Sequence, residues 1–434
     1  MSASGHVASP GLHRGLGRFD VFALTVNAII GAGVFAMTAG LTAAAGRFSI
    51  LVLVAAFVLV TLFALSLAEV ASRYDVAGGP QIYARDAFGP LPGFAVGWLL
   101  VVSRLASFAA LSHVMFNYAG ALWPLLEQPL PRAIGITLFI IMLLAFNLRG
   151  VVHGAGLIKL LTVAKLLPLV ALGLAGLWFA GWNHIPATAP REPDGLIAGF
   201  QLALFACVGF EPAAMVAGEV RNPQRNLAAG ILAGLAACGL LYLLLMFACF
   251  ALLPDPAAAS RPLVDAAVSL VGPIGGVVVV LGAVVSCAGV NAASMLISPR
   301  VLFAFAGSGD LPKPLGVVHP AWRTPHLAIV IFAVLAWLLS ITGTFEYILT
   351  VFLISRLLAY GTTSAALIKL RRSAGPAPVR IPAGVVIAVA AMIGCIATLW
   401  FSSWTAARDV AIALAVGFAI RAVTRHFARE KAAM

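Results

Sequence analysis

Charge is what this chain has least of. Only 10% of its 434 residues are Asp, Glu, Lys or Arg, against about 25% in average soluble proteins, and that excludes a water-soluble globular chain. Cysteine is scarcer still: Cys207, Cys238, Cys249, Cys287 and Cys395 all fall in apolar stretches and suggest neither a disulfide framework nor a metal site. The chain has no Gly-x-x-x-x-Gly-Lys-Ser/Thr loop, which argues against direct use of ATP. Regular ten-residue alternation is missing too, and with it a lipid-facing β-barrel. What fills the chain is apolar sequence, 62% of residues with a mean hydropathy of +1.06. Its 42 glycines and 25 prolines suit membrane helices that bend or break.

A membrane-crossing helix needs about 20 mostly apolar residues. Apolar runs between polar punctuation predict twelve, near 19–43, 48–69, 94–120, 133–148, 157–180, 195–218, 228–253, 272–297, 326–343, 346–368, 381–400 and 409–424. An even number puts both termini on one side. Nineteen of the 27 basic residues then fall on the side of the termini, and five (Arg47, Arg132, Arg191, Arg261 and Arg408) on the other. The positive-inside rule makes the first side cytoplasmic. The net charge of +12 is therefore read as orientation in the bilayer, with no nucleic-acid partner. The polar, glycine-rich start runs straight into span 1, so no cleavable signal is expected. The expected organisation is a cytoplasmic segment 1–18, a ten-span core 19–370, two further helices in 371–424 and a cytoplasmic tail 425–434.

Two spans carry their own interruptions. Gly31 and Gly33 lie near the middle of span 1, where they suit either unwound backbone approached by a ligand or close packing on a neighbouring helix. Span 6 reads Phe205–Ala206–Cys207–Val208–Gly209–Phe210–Glu211–Pro212, a glutamate in apolar phase followed by a proline without an amide hydrogen. Paired broken spans in corresponding halves point to the central site of a secondary transporter. Unwinding offers carbonyls to an ammonium and amides to a carboxylate, the polarity of a zwitterion with both groups on one carbon. Arg104, Lys165 and Arg356 also fall inside spans; Lys165 follows too apolar a run to stay solvated and must snorkel, pair or titrate. Ser286, Cys287 and His113 are read as packing, since nothing relates them as nucleophile and base.

Five motifs occur in one order over roughly residues 15–370: Ile29–Ile30–Gly31–Ala32–Gly33–Val34–Phe35; Ala77–Gly78–Gly79–Pro80–Gln81–Ile82–Tyr83 with Ala87–Phe88–Gly89; Gly209–Phe210–Glu211; Gly218–Glu219–Val220–Arg221–Asn222–Pro223–Gln224–Arg225–Asn226; and Ser298–Pro299–Arg300–Val301–Leu302–Phe303–Ala304. Together they resemble the amino acid–polyamine–organocation permease family, and in particular its sodium-independent bacterial members. The resemblance implies an all-α membrane protein of the LeuT-like type: spans 1–5 related to 6–10 as an inverted repeat, helices 1 and 6 broken, two helices appended. It implies a substrate carboxylate at Gly31, Ala32 and Gly33, an amino group held near Ile29 and at Cys207, Val208 and Gly209, and Phe205 closing over the site. It also implies a gating role for Glu211 and an ion-replacing role for Lys165. Two departures stand out: Gly307–Ser308–Gly309–Asp310 replaces the family's Arg-Asp-Gly before Leu311–Pro312, which makes an inner charge pair doubtful, and Pro80–Gln81 is inserted before Ile82–Tyr83.

The implied activity is alternating-access transport of L-amino acids in a bacterial inner membrane, with no cofactor, no metal and no enzymatic step. The implied partners are the bilayer, a small amino acid and protons; oligomeric state is left open. With Phe205, Ala206 and Cys207 at the expected site and no second midplane carboxylate, a neutral substrate is favoured over a cationic amino acid or polyamine. Proton symport and ion-independent exchange both fit a buried lysine.

Overall fold

The computed structural model describes residues 15–74, 79–150, 155–179, 193–215 and 219–433. Most of the expected segment 1–18, Ala77 and Gly78 of the second motif, Gly218 and Arg191 lie outside the described residues, as does the side chain of Lys159. In lipid each backbone N–H and C=O must be paired within its own segment, which makes helix the solution for long apolar runs. Among the described residues each of the twelve runs falls on helix, with interruptions in the first and sixth. The described residues form α1 Arg18–Ile29, α2 Gly33–Ala45, α3 Ser49–Ala71, α4 Pro80–Phe88, α5 Pro90–Ala119, α6 Pro129–Leu148, α7 Ala155–Phe179 and α8 Pro193–Cys207. They continue as α9 Glu211–Met215, α10 Pro223–Leu252, α11 Pro262–Val271, α12 Pro273–Gly307, α13 His326–Thr342, α14 Phe345–Ser373, α15 Gly384–Trp400 and α16 Trp404–Ala433.

Among the described residues seven stretches are long and apolar enough to cross a bilayer, and α15 with α16, bent by 113° at their junction, makes an eighth. The chain is an all-α polytopic membrane protein. The difference from twelve runs has local causes. α13 and α15 have 17 residues each, and α2 continues into α3 through the tight turn Gly46–Phe48. That turn reverses the chain: Ser49 Oγ donates to Leu41 O at 3.2 Å, whereas eight residues of straight helix would separate them by about 12 Å.

The element order repeats. A broken helix (α1, α2), a long helix (α3), a short one (α4) and three further helices (α5–α7) are followed by a broken helix (α8, α9), a long helix (α10), a short one (α11) and three further helices (α12–α14). The two short helices, which their brevity hid among the polar connections of the sequence, end in the same device. Gly89 (φ +99°) precedes Pro90 and Gly272 (φ +76°) precedes Pro273. In each case the glycine adopts a backbone closed to L side chains and the proline opens the next helix, where its missing N–H costs no bond. α12 also outruns its expected end, continuing through Ser298–Pro299 to Gly307.

Ion pairs fasten the later helices to this frame. Asp310, beyond the end of α12, accepts from Arg421 Nε at 2.7 Å and Arg425 Nε at 3.0 Å, so the loop that lacks the family's Arg-Asp-Gly binds α16. Buried Glu69 at the end of α3 takes a two-pronged contact from Arg371 of α14, both distances 2.5 Å, and accepts the Ile381 amide at 2.9 Å. Arg371→Ala should destabilise the protein by about 3–5 kcal/mol, because it strands a buried carboxylate. Arg371→Lys should restore only part of this, since an ammonium cannot match both oxygens. Unfolding of the detergent-purified variants checks both, and equal stability of Arg371→Ala and the parent would contradict the assignment.

Candidate functional site

The first break is built from Ile30, Gly31 and Ala32. Ile30 (φ −78°, ψ 80°) centres an inverse γ-turn in which the Gly31 amide donates to Ile29 O at 2.9 Å. This turn ends α1 and strands carbonyls that a continuous helix would pair with amides four residues on. Side chains from three helices meet them. Lys165 Nζ of α7, 2% exposed, donates to Asn27 O at 2.9 Å and Ile30 O at 2.7 Å. Ser286 Oγ of α12 donates to Ile30 O at 3.1 Å. The Tyr242 hydroxyl of α10 lies 3.2 Å from Ile29 O and 3.0 Å from Ala206 O, so one buried group ties both breaks together. Beyond the turn, Ala32, Gly33 and Val34 present the first amides of α2, which have no acceptor within the helix.

The second break spans 208–210, between α8 and α9. Gly209 has φ +127°, and a Cβ there would stand 2.9 Å from Ala28 O. Both the conformation and the close approach of the two breaks demand glycine. Pro212 sits in the first turn of α9, where no amide is missed.

Between the breaks lies a cavity of about 490 Å³, walled by α1, α5, α6, α7, α12, α14 and both breaks. Of the residues expected at the site, Ile29, Gly31, Ala32, Gly33, Lys165, Phe205, Val208 and Gly209 line it; Cys207 and Glu211 do not. Cys207 is fully buried as the last residue of α8. Phe205 packs edge-to-face on Phe352 and Phe345, with ring centroids 5.0 and 6.0 Å away. The wall extends to Phe146 and Asn147 at the end of α6 and to Leu296 and Ile297 of α12.

Glu211 stands behind the wall, paired with Arg356 Nη1 and accepting from the Tyr360 hydroxyl at 2.6 Å. Arg356 also donates to Ser103 Oγ at 2.6 Å and lies over the Phe352 ring, 4.9 Å from its centroid. The remaining cavity cation, Arg104 of α5, is 4% exposed; its Nη2 reaches Met215 Sδ at 3.1 Å and its Nε has no partner among the described residues. Tyr242 and Tyr360 were not singled out in the sequence. Their signal was available, because six tyrosines are few in so apolar a chain and a buried hydroxyl there calls for a partner.

The two glycines of span 1 separate in role. A Cβ on Gly33 would lie 2.3 Å from Ala206 Cα, so this glycine lets α2 and α8 touch. One on Gly31 would meet the Leu111 side chain at 3.3 Å and that of Val290 at 3.8 Å, beside the cavity. Gly33→Ala should therefore lower stability by about 1–3 kcal/mol, while Gly31→Ala should fold like the parent and alter ligand affinity. Thermal unfolding and equilibrium binding of the two variants check the contrast; equal stability of Gly33→Ala and the parent would contradict it.

The amino acid permease family profile matches residues 16–420. The chain is 29% identical over 338 residues to the serine/threonine exchanger SteT of Bacillus subtilis, covering 75% of this chain and 76% of that protein. It is 27% identical to the branched-chain amino acid permease BcaP of the same organism, with coverage of 94% and 92%. It is 25% identical to the methylthioribose transporter of Bacillus subtilis, with coverage of 84% and 82%. The match over nearly the whole length, on a polytopic helical frame with a cavity between two helix breaks, makes this chain a member of the amino acid permease family, whose members are membrane transporters and not enzymes.

Proposed function

We propose that this protein is a secondary active transporter of L-amino acids that works by alternating access around its two helix breaks and needs no sodium. The observation that carries the reading is the Lys165 ammonium on Asn27 O and Ile30 O, where a bound cation would otherwise meet the unwound carbonyls. The recurring element order and the matched Gly–Pro junctions support a five-plus-five inverted repeat of twelve spans. This gives a core over 19–370, helices 11 and 12 in 371–424, and the segments 1–18 and 425–434 in the cytoplasm of a bacterial cell. With that orientation the cavity wall at Asn147 and Ile297 faces inward, as in an inward-facing state.

In this reading the α-carboxylate lies at Gly31, Ala32 and Gly33 and meets the free amides of Ala32 and Gly33, the Gly31 amide being bonded to Ile29 O. Ile29 O already takes Gly31 N and the Tyr242 hydroxyl, so the substrate ammonium falls to the carbonyls of Cys207, Val208 and Gly209. Phe205 closes the outer side. Glu211 acts on the cycle through Arg356 and Tyr360. Cationic cargo finds no partner, because no carboxylate lines the cavity among the described residues and Glu211 is engaged by Arg356.

Proton coupling follows if the Lys165 ammonium loses its proton in one facing state. Obligatory exchange is the second reading, favoured by similarity to the serine/threonine exchanger. Flux of radiolabelled L-amino acids into sodium-free proteoliposomes, with an imposed pH gradient and clamped membrane potential, separates them. Accumulation driven by inward protons into vesicles empty of amino acid is the expected result; strict dependence on internal substrate would replace symport by exchange. A requirement for sodium would overturn the reading of Lys165. Competition by decarboxylated amines equal to that by the parent amino acids would overturn the carboxylate site.

A further inference from the structure

Three cationic side chains, Arg104, Lys165 and Arg356, line the cavity, and no carboxylate does among the described residues. Two of the three are engaged. Lys165 sits on the carbonyls of the first break, and Arg356 is held by Glu211, Ser103 and Tyr360. Arg104 has only a thioether at Nη2 and an unpartnered Nε. Sulfur is a weak acceptor, and Glu211, which acts on this guanidinium through space, has its oxygens taken by Arg356 and Tyr360, so Arg104 bonds no carboxylate among the described residues. A buried arginine without a bonded anion is costly in a membrane protein, and those that persist face a pathway or an anion.

The cavity thus holds two receivers for negative charge: the first amides of α2 and the Arg104 fork. They are set apart. Leu111, seven residues beyond Arg104 on α5, abuts Gly31, which places the arginine's helix position about 10 Å along the axis from the first break. The arginine side chain and a short aliphatic spacer bridge that interval. A single α-carboxylate occupies only one of the receivers.

Building on the amino-acid reading above, we propose that the preferred substrate is an acidic L-amino acid whose side-chain carboxylate is held by Arg104, with its α-carboxylate at the first break. This replaces the neutral side chain expected from Phe205, Ala206 and Cys207, of which only Phe205 lines the cavity. It also gives Arg104 the role of selecting between isosteric acids and amides, since a planar guanidinium pairs both oxygens of a carboxylate and gains no charge-assisted bond from a carboxamide oxygen.

The test is equilibrium binding to the purified full-length protein of L-glutamate, L-aspartate, L-glutamine, L-asparagine and glutarate. L-Glutamate or L-aspartate should bind at least about tenfold more tightly than its amide, and Arg104→Gln should remove that preference, about 1.4 kcal/mol or more at this ratio. Arg104→Lys, which keeps the charge without the fork, should retain part of it. The comparison of acids with amides uses the unaltered protein, so it decides even if both variants fail to fold. Equal affinity for acids and amides, with glutarate much weaker, would overturn the role of Arg104 and leave the amino-acid reading intact. Glutarate binding as tightly as L-glutamate would keep the anion site and overturn the amino-acid reading. Binding of no acid overturns the proposal.

Discussion

Backbone carbonyls released inside a membrane protein must find donors, and most of this structure's polar architecture follows from that requirement. Breaking a helix where water is scarce leaves acceptors that cost several kcal/mol each if unmet. Here the inverse γ-turn at Ile30 frees them, and Lys165, Ser286 and Tyr242 arrive from α7, α12 and α10 to receive them. The break is therefore held by contacts from three helices. Any rearrangement of those helices changes which carbonyls are satisfied, and that couples the centre of the protein to its surroundings.

The second break is governed by a different constraint. Gly209 leans on Ala28 O, and Tyr242 spans Ile29 O and Ala206 O, so the two breaks are packed on one another as well as on the cavity. Just past it, Glu211 and Arg356 neutralise each other with Tyr360 and Ser103 filling their remaining bonds. A buried pair of this kind adds little net stability but is severely unbalanced by loss of either partner. It leaves the cavity wall positive, with Lys165 and Arg104 both on it.

Much of this was legible in the sequence, for physical reasons that also mark where legibility stopped. Long apolar runs have one solution in lipid, so all twelve appear as helix; the short α4 and α11 were missed because their nine and ten residues fall below the length at which apolar periodicity speaks. Glu211 and Pro212 in apolar phase marked the second break, whereas Gly31 and Gly33 fitted unwinding and close packing alike. The sequence could not assign separate duties to Gly31 and Gly33, since a packing glycine and a cavity-lining one have the same letter and only the 2.3 Å approach of Ala206 Cα tells them apart. Glu211 was visible as a charge out of place. Its partner Arg356 lies 145 positions away, and nothing short of the fold brings them together. Gly307–Ser308–Gly309–Asp310 in place of Arg-Asp-Gly puts a charge-pair role in inner closure in doubt; the partners that Asp310 does have, Arg421 and Arg425, lie on the last helix, beyond the compared motifs.

Central to the proposed function is the Lys165 ammonium, bonded to the carbonyls of Asn27 and Ile30. The direct measurement is initial-rate L-amino-acid transport by Lys165→Ala in proteoliposomes, in both directions and with sodium absent or present, at matched abundance and normal folding by thermal unfolding. Loss of at least about tenfold in rate, roughly the worth of one charge-assisted hydrogen bond, is predicted in at least one direction. Transport indistinguishable from the parent in both directions would contradict it.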